Sequence, residues 1–113
     1  MNTLGYIGAG ITILGGVVGL LFPTQVSRTI GLSLNGRLGR SEFRATYGGL
    51  FLAAGIAAIA INSHDATLLL ASAWFGAAAG RSISAVIDRS WSKENVAGLV
   101  IEAATGSLLL ASA

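Results

Sequence analysis

Four apolar stretches take up most of this chain, and they leave few ways for it to fold. The first, LGYIGAGITILGGVVGLLF, runs from Leu4 to Phe22, 19 residues without a charge, and stops at Pro23. The second, ATYGGLFLAAGIAAIAI from Ala45 to Ile61, extends backward toward Glu42 and Arg44, which places its span at 43–61. The third, ATLLLASAWFGAAAGRSISAVI at 66–87, is broken only by Arg81, and the fourth, VAGLVIEAATGSLLLASA at 96–113, only by Glu102. Crossing the hydrocarbon core of a bilayer takes roughly 17 to 25 helical residues, so each stretch qualifies. A membrane barrel would need strands of about ten alternating residues, and no alternation is visible.

Charge supports the same reading. Only 11% of the residues are charged against 53% hydrophobic, whereas an ordinary soluble domain is about 25% charged. Such a chain cannot clothe a globule in polar surface, so its apolar excess must face lipid. The expectation is an all-α polytopic membrane protein, one domain over 1–113, with four transmembrane helices in a compact bundle and short loops. Met1-Asn2-Thr3 lacks the cationic start of a signal peptide, so the first span is expected to be retained.

The seven cations set the orientation. Arg28, Arg37, Arg40 and Arg44 border the first connection, and Arg81, Arg89 and Lys93 lie at or near the third. The second connection, Asn62 to Asp65, has none. The positive-inside rule then puts the charged loops in the cytoplasm and both termini outside. PTQVSRTIGLSL, with Pro23 at a helix start and Val26, Ile30 and Leu34 four apart, predicts an interfacial helix over 23–34. Tyr6, Tyr47 and Trp91 fall near interfaces, while Trp74 and Phe75 read as packing residues within a span. The pI of about 9.7 reflects seven basic against five acidic side chains. With no basic run, it argues for topology signals and against nucleic acid as a partner.

Small residues point to how the spans pack, because lipid tails give no hydrophobic drive for helices to associate. Gly15 and Gly19 form a GxxxG in the first span. Gly48 and Gly49 open the second. In the third, Ser72, Gly76, Gly80 and Ser84 repeat every four residues, and in the fourth Gly98 and Gly106 flank Glu102. These ridges serve bundle packing, and those left spare would serve association with copies of the chain or with a larger membrane complex.

Catalytic signatures are missing. There are no cysteines, so no thiolate zinc site or cysteine nucleophile exists. The Gly5/Gly8/Gly10 cluster lacks dinucleotide-loop spacing, and no P-loop, HExxH or nucleophile elbow occurs. His64 is alone in a turn, with Asp65 expected to cap the third span. The reading is not an enzyme, with no metal and no cofactor.

The charges within the spans are the sharpest signal. Arg81 lies six residues before Ile87 and Glu102 six after Val96, so both sit roughly 9 Å inside the same boundary on antiparallel neighbours. An unpaired charge at mid-membrane costs about 2.5 to 3.5 kcal/mol. Arg81 is therefore expected to pair with Glu102 in the bundle interior. Asp88, seven residues beyond Arg81, and Glu94, eight before Glu102, continue a polar stripe outward. Glu42, Arg44 and Tyr47 enter the second span at the same end, where Arg44 could also snorkel to headgroups. Together Glu42, Arg44, Tyr47, Arg81, Asp88 and Glu102 form a candidate charged pocket or a structural network.

RSEFRATYGGLFLAAG, the proline ending the first span, the GRSIS...D pattern at Gly80 to Asp88 and the glutamate of the last span resemble the small bacterial integral membrane proteins grouped as domain of unknown function 4345. The resemblance rests chiefly on Glu42, Arg44, Tyr47, Gly48, Gly49, Gly80, Arg81 and Asp88. Arg89 departs from the glycine expected after that aspartate. The resemblance implies a four-helix protein of a bacterial inner membrane and no assigned activity. The expected function is a structural, accessory or self-associating subunit, and the alternative is a binder or carrier of a lipid headgroup, small solute or proton in the charged pocket.

Overall fold

The computed structural model describes residues 1–113 and contains five helices and no strand. They are α1 (Thr3–Leu21), α2 (Pro23–Thr29), α3 (Gly36–Ile61), α4 (His64–Ile87) and α5 (Lys93–Ser112). Four of them are long and apolar enough to cross a membrane. At about 1.5 Å per residue, helices of 19 to 26 residues run from about 28 to about 39 Å, enough to cross a hydrocarbon core about 30 Å thick. These four are the expected spans; α2 is a fifth helix beside them, so the molecule is not a bundle of four helices alone, and it covers 23–29 only. Ile30 and Gly31 turn, with Gly31 at φ +87°, and 32–35 is irregular, so the helix expected over 23–34 stops early. The second span starts sooner than expected, at Gly36, and its section Arg44–Leu50 is wound as a π-helix.

Local chemistry sets these ends. Asn2 Oδ1 accepts from the Gly5 amide at 3.2 Å, Ser63 Oγ from Ala66 at 3.1 Å and Ser92 Oγ from Asn95 at 3.2 Å. Each caps the donors that a helix start leaves free. The cap of α4 is thus Ser63, not Asp65, which sits in the first turn where its charge favours the positive end of the helix dipole. Pro23 takes the first position of α2, where its missing N–H is no loss. Asn62, at φ 47°, ends α3 in a left-handed conformation that asparagine tolerates.

Two tight pairs make up the bundle, α1 with α3 and α4 with α5, and α1 also lies along α5. Helices α3 and α4, though joined by a short turn, touch little. The buried positions of α1 are Gly5, Gly8, Ala9, Thr12, Gly16 and Gly19, and those of α4 are Thr67, Leu70, Ala71, Ala78 and Ala85. Steps alternating between three and four hold one stripe against a partner, as in left-handed bundles. The side chains there are small, so backbones approach closely. A Cβ on Gly16 would sit 2.8 Å from Leu52 Cα, and one on Gly48 2.8 Å from Leu20 Cα. Buried hydroxyls close on their own helix: Thr12 donates to the Gly8 carbonyl at 2.9 Å and Thr105 to Ile101 at 2.7 Å. No buried side-chain polar atom lacks a partner, as a low-dielectric interior requires.

Several expected packing glycines lie elsewhere. Gly76 and Gly80 have nothing within 4 Å of an added Cβ, Gly15 is exposed, and Gly49 touches only the Arg44 carbonyl of its own helix. The Ser72/Gly76/Gly80 ridge therefore faces outward. Strict four-residue steps advance about 40° each around a helix of 3.6 residues per turn, so the ridge winds away from the seam. Gly19, Gly48, Gly98 and Gly106 do lie against neighbours. The outer surface is apolar, with Leu14, Leu69, Ile83, Val86 and Ile87 all more than half exposed. Lipid is the solvent that such a surface suits.

Candidate functional site

Arg81 and Glu102 occupy seam positions of α4 and α5, three residues past Ala78 and three before Thr105. The alternating pattern that packs the helices therefore aims the two charges at each other. They meet as a fork: Arg81 Nε donates to Glu102 Oε1 at 2.8 Å and Nη2 to Oε2 at 2.9 Å. Two parallel charge-assisted bonds are the strongest arrangement open to these groups. Arg81 Nη1 donates to Asn95 Oδ1 at 3.0 Å, and Asn95 Nδ2 donates to the Ser90 carbonyl at 2.7 Å. Asn95 thus anchors the pair to the α4–α5 link. Its signal is the spacing, one heptad before Glu102, but an amide carries no charge to set it apart in a polar link.

Gly98 makes room for this geometry. A Cβ there would fall 2.6 Å from the guanidinium carbon of Arg81. Gly98→Ala should displace the fork and lower thermal stability by about 1–3 kcal/mol. In an Arg81→Leu background the same change should cost much less, and equal losses in both backgrounds would separate Gly98 from the guanidinium.

The pair is not the buried salt bridge expected. Glu102 is enclosed, its side chain 10% exposed, but the Arg81 side chain is 31% exposed. It opens into a cavity of about 330 Å³ between the two helix pairs. The short α2 lends Val26, Thr29 and Ile30 to one wall but does not fill the gap, and Gly15 offers no side chain from α1. Tyr47 and Phe51 of α3, Trp74 of α4, and Glu94, Ala97, Gly98 and Ile101 of α5 complete the lining. Phe43, Tyr47, Phe51 and Trp74 form an aromatic series: the first two rings stack at 4.6 Å, and Phe51 meets Trp74 edge-on at 5.5 Å. Tyr47 stands 6.0 Å from Phe51 and links them. Trp74 Nε1 donates to Thr12 Oγ1 at 2.9 Å, which fixes the indole as a wall of the groove.

The six charged and aromatic residues predicted to converge do not form one network. Tyr47, Arg81 and Glu102 share the groove. Arg44 turns instead to α1, where its Nε donates to the Leu20 carbonyl at 3.0 Å, one of the acceptors a helix end leaves free. Asp88 Oδ2 accepts from Ser84 Oγ at 2.6 Å on its own helix. Glu42 lines a neighbouring hollow with Asn35, Gly39 and Thr46, and Tyr47 borders both that hollow and the groove. All three stand at the expected end of the bundle, but the helix faces carrying them diverge. Within the described chain no group of three or more histidine, cysteine or acidic residues is placed to hold a metal.

A family model described as a domain of unknown function, DUF4345, matches residues 2–112. No curated protein and no solved structure matches the chain.

Proposed function

Because the chain belongs to the DUF4345 family, whose function is unknown, we propose from the chemistry of the groove that it is a small integral membrane protein that binds an amphiphile. The observation that carries this is the opening of the Arg81–Glu102 fork into a largely apolar cavity. A polar head would rest against the fork, Tyr47 and Glu94, and a chain would lie along Val26, Ile30, Phe51 and Ile101. Arg81 is already matched by Glu102, and Glu94 adds a negative charge, so a neutral, amine-bearing or zwitterionic head fits better than an anion. Aromatic faces beside the fork favour a cationic amine further. By the positive-inside rule, the grouping of the seven cations supports a groove that faces the cytoplasmic leaflet of a bacterial inner membrane.

Bromine quenching tests this directly. The chain has two tryptophans; Trp74 lines the groove, and Trp91, 65% exposed, does not. In a Trp91→Phe background, a brominated phosphatidylethanolamine added to neutral detergent micelles should quench Trp74 saturably. Ala97→Phe, which fills the groove, should reduce that quenching several-fold. Quenching that never saturates, or that Ala97→Phe leaves intact, contradicts the reading.

The outward Ser72/Gly76/Gly80 ridge supports a second reading, an accessory or self-associating subunit. Gly76→Leu should then lower the oligomer fraction seen by cross-linking in bilayers, and a chain monomeric in both forms would refute it.

A further inference from the structure

A separate cavity of about 330 Å³ shares no residue with the amphiphile groove, and its chemistry is opposite. Its walls are Thr24, Ser27 and Arg28 of α2, residues 32–34 of the connecting segment, and Arg40 of α3. Two guanidinium groups and three hydroxyl side chains line it, with no carboxylate. The one ion pair of the structure is Arg81–Glu102, so Arg28 and Arg40 have no acidic partner. Ser27 is buried and its hydroxyl donates to the Thr24 carbonyl at 2.9 Å, which holds this wall in place. A 7-residue helix owes its position to neighbours, since so short a helix is marginal alone.

We propose that this cavity binds a phosphate group between Arg28 and Arg40. Guanidinium groups match phosphate oxygens with forked, charge-assisted bonds, and the hydroxyls of Thr24 and Ser33 supply further donors. The cavity is many times larger than one water needs, so it takes a substituted phosphate as readily as a free one. Its place in the link between the first two spans sets it at the headgroup level, where an anionic lipid presents the same chemistry.

The test uses the full chain in neutral detergent with two probes. Inorganic phosphate is titrated by calorimetry, and phosphatidic acid retention is counted by native mass spectrometry. Arg28→Gln and Arg40→Gln should each weaken binding by at least about tenfold, the scale of a hydrogen bond to a charged group. Arg37→Gln removes the same charge from the same link but lies outside the lining, and should change binding by no more than about twofold. Saturable binding of inorganic phosphate identifies a free anion as ligand, and retention of phosphatidic acid alone identifies a headgroup; both support the site. Failure of both probes to bind overturns it, as does a loss in Arg37→Gln equal to that in Arg28→Gln. Arg28 is exposed and unpaired, so its replacement should leave the melting temperature unchanged.

Discussion

Glu102→Leu should destabilise the protein by about 1–3 kcal/mol, and the double change with Arg81→Leu should cost less than either single one. Each single replacement leaves a charge about 9 Å inside the apolar layer without its partner. Insertion scales put an isolated charge at mid-membrane at about 2.5 to 3.5 kcal/mol. The exposed side of Arg81 reduces that penalty, because the guanidinium can reach polar company through the groove. Removing both charges leaves only Asn95 short of a partner, and its amide still holds the Ser90 carbonyl. Thermal melting of the four proteins in one detergent gives the coupling. Losses that add would show that the fork contributes no direct interaction.

The second large effect belongs to the α1–α3 contact. A side chain at Gly16 would meet the backbone of Leu52 and stand 2.9 Å from the Gly48 carbonyl oxygen. Backbone cannot rotate aside as a side chain can, so Gly16→Ala must push the helices apart. Overpacking of this kind costs about 1–3 kcal/mol. Gly76→Ala, the same chemical change on an open face, should stay within about 0.5 kcal/mol. Equal losses at both positions in a purified monomer would refute the seam as described.

These two effects also mark what a reader of the sequence can and cannot see. The spans are legible because a bilayer demands length and apolarity, both of which sequence displays. The meeting of Arg81 and Glu102 is legible too, since a short link fixes the depth of each on adjacent helices. Which glycines pack is not. The four-residue ridge at Ser72, Gly76 and Gly80 looks like an interface, but the bundle uses seams of alternating three and four, which follow the left-handed crossing. Glu42, Arg44 and Asp88 show the same limit. Their depth could be read, but their direction around the helix depended on neighbours such as the Leu20 carbonyl. The groove itself was hidden because it exists where α2 is too short to fill the space between two helix pairs.

An amphiphile held in this groove should stay with the protein when detergent is avoided. Native mass spectrometry of the protein released from membrane nanodiscs without detergent tests it most directly. The wild type should retain one amphiphile per chain, and Ala97→Phe should lose it. A bare chain accompanied by a stoichiometric foreign subunit, or retention that Ala97→Phe leaves unchanged, would contradict it.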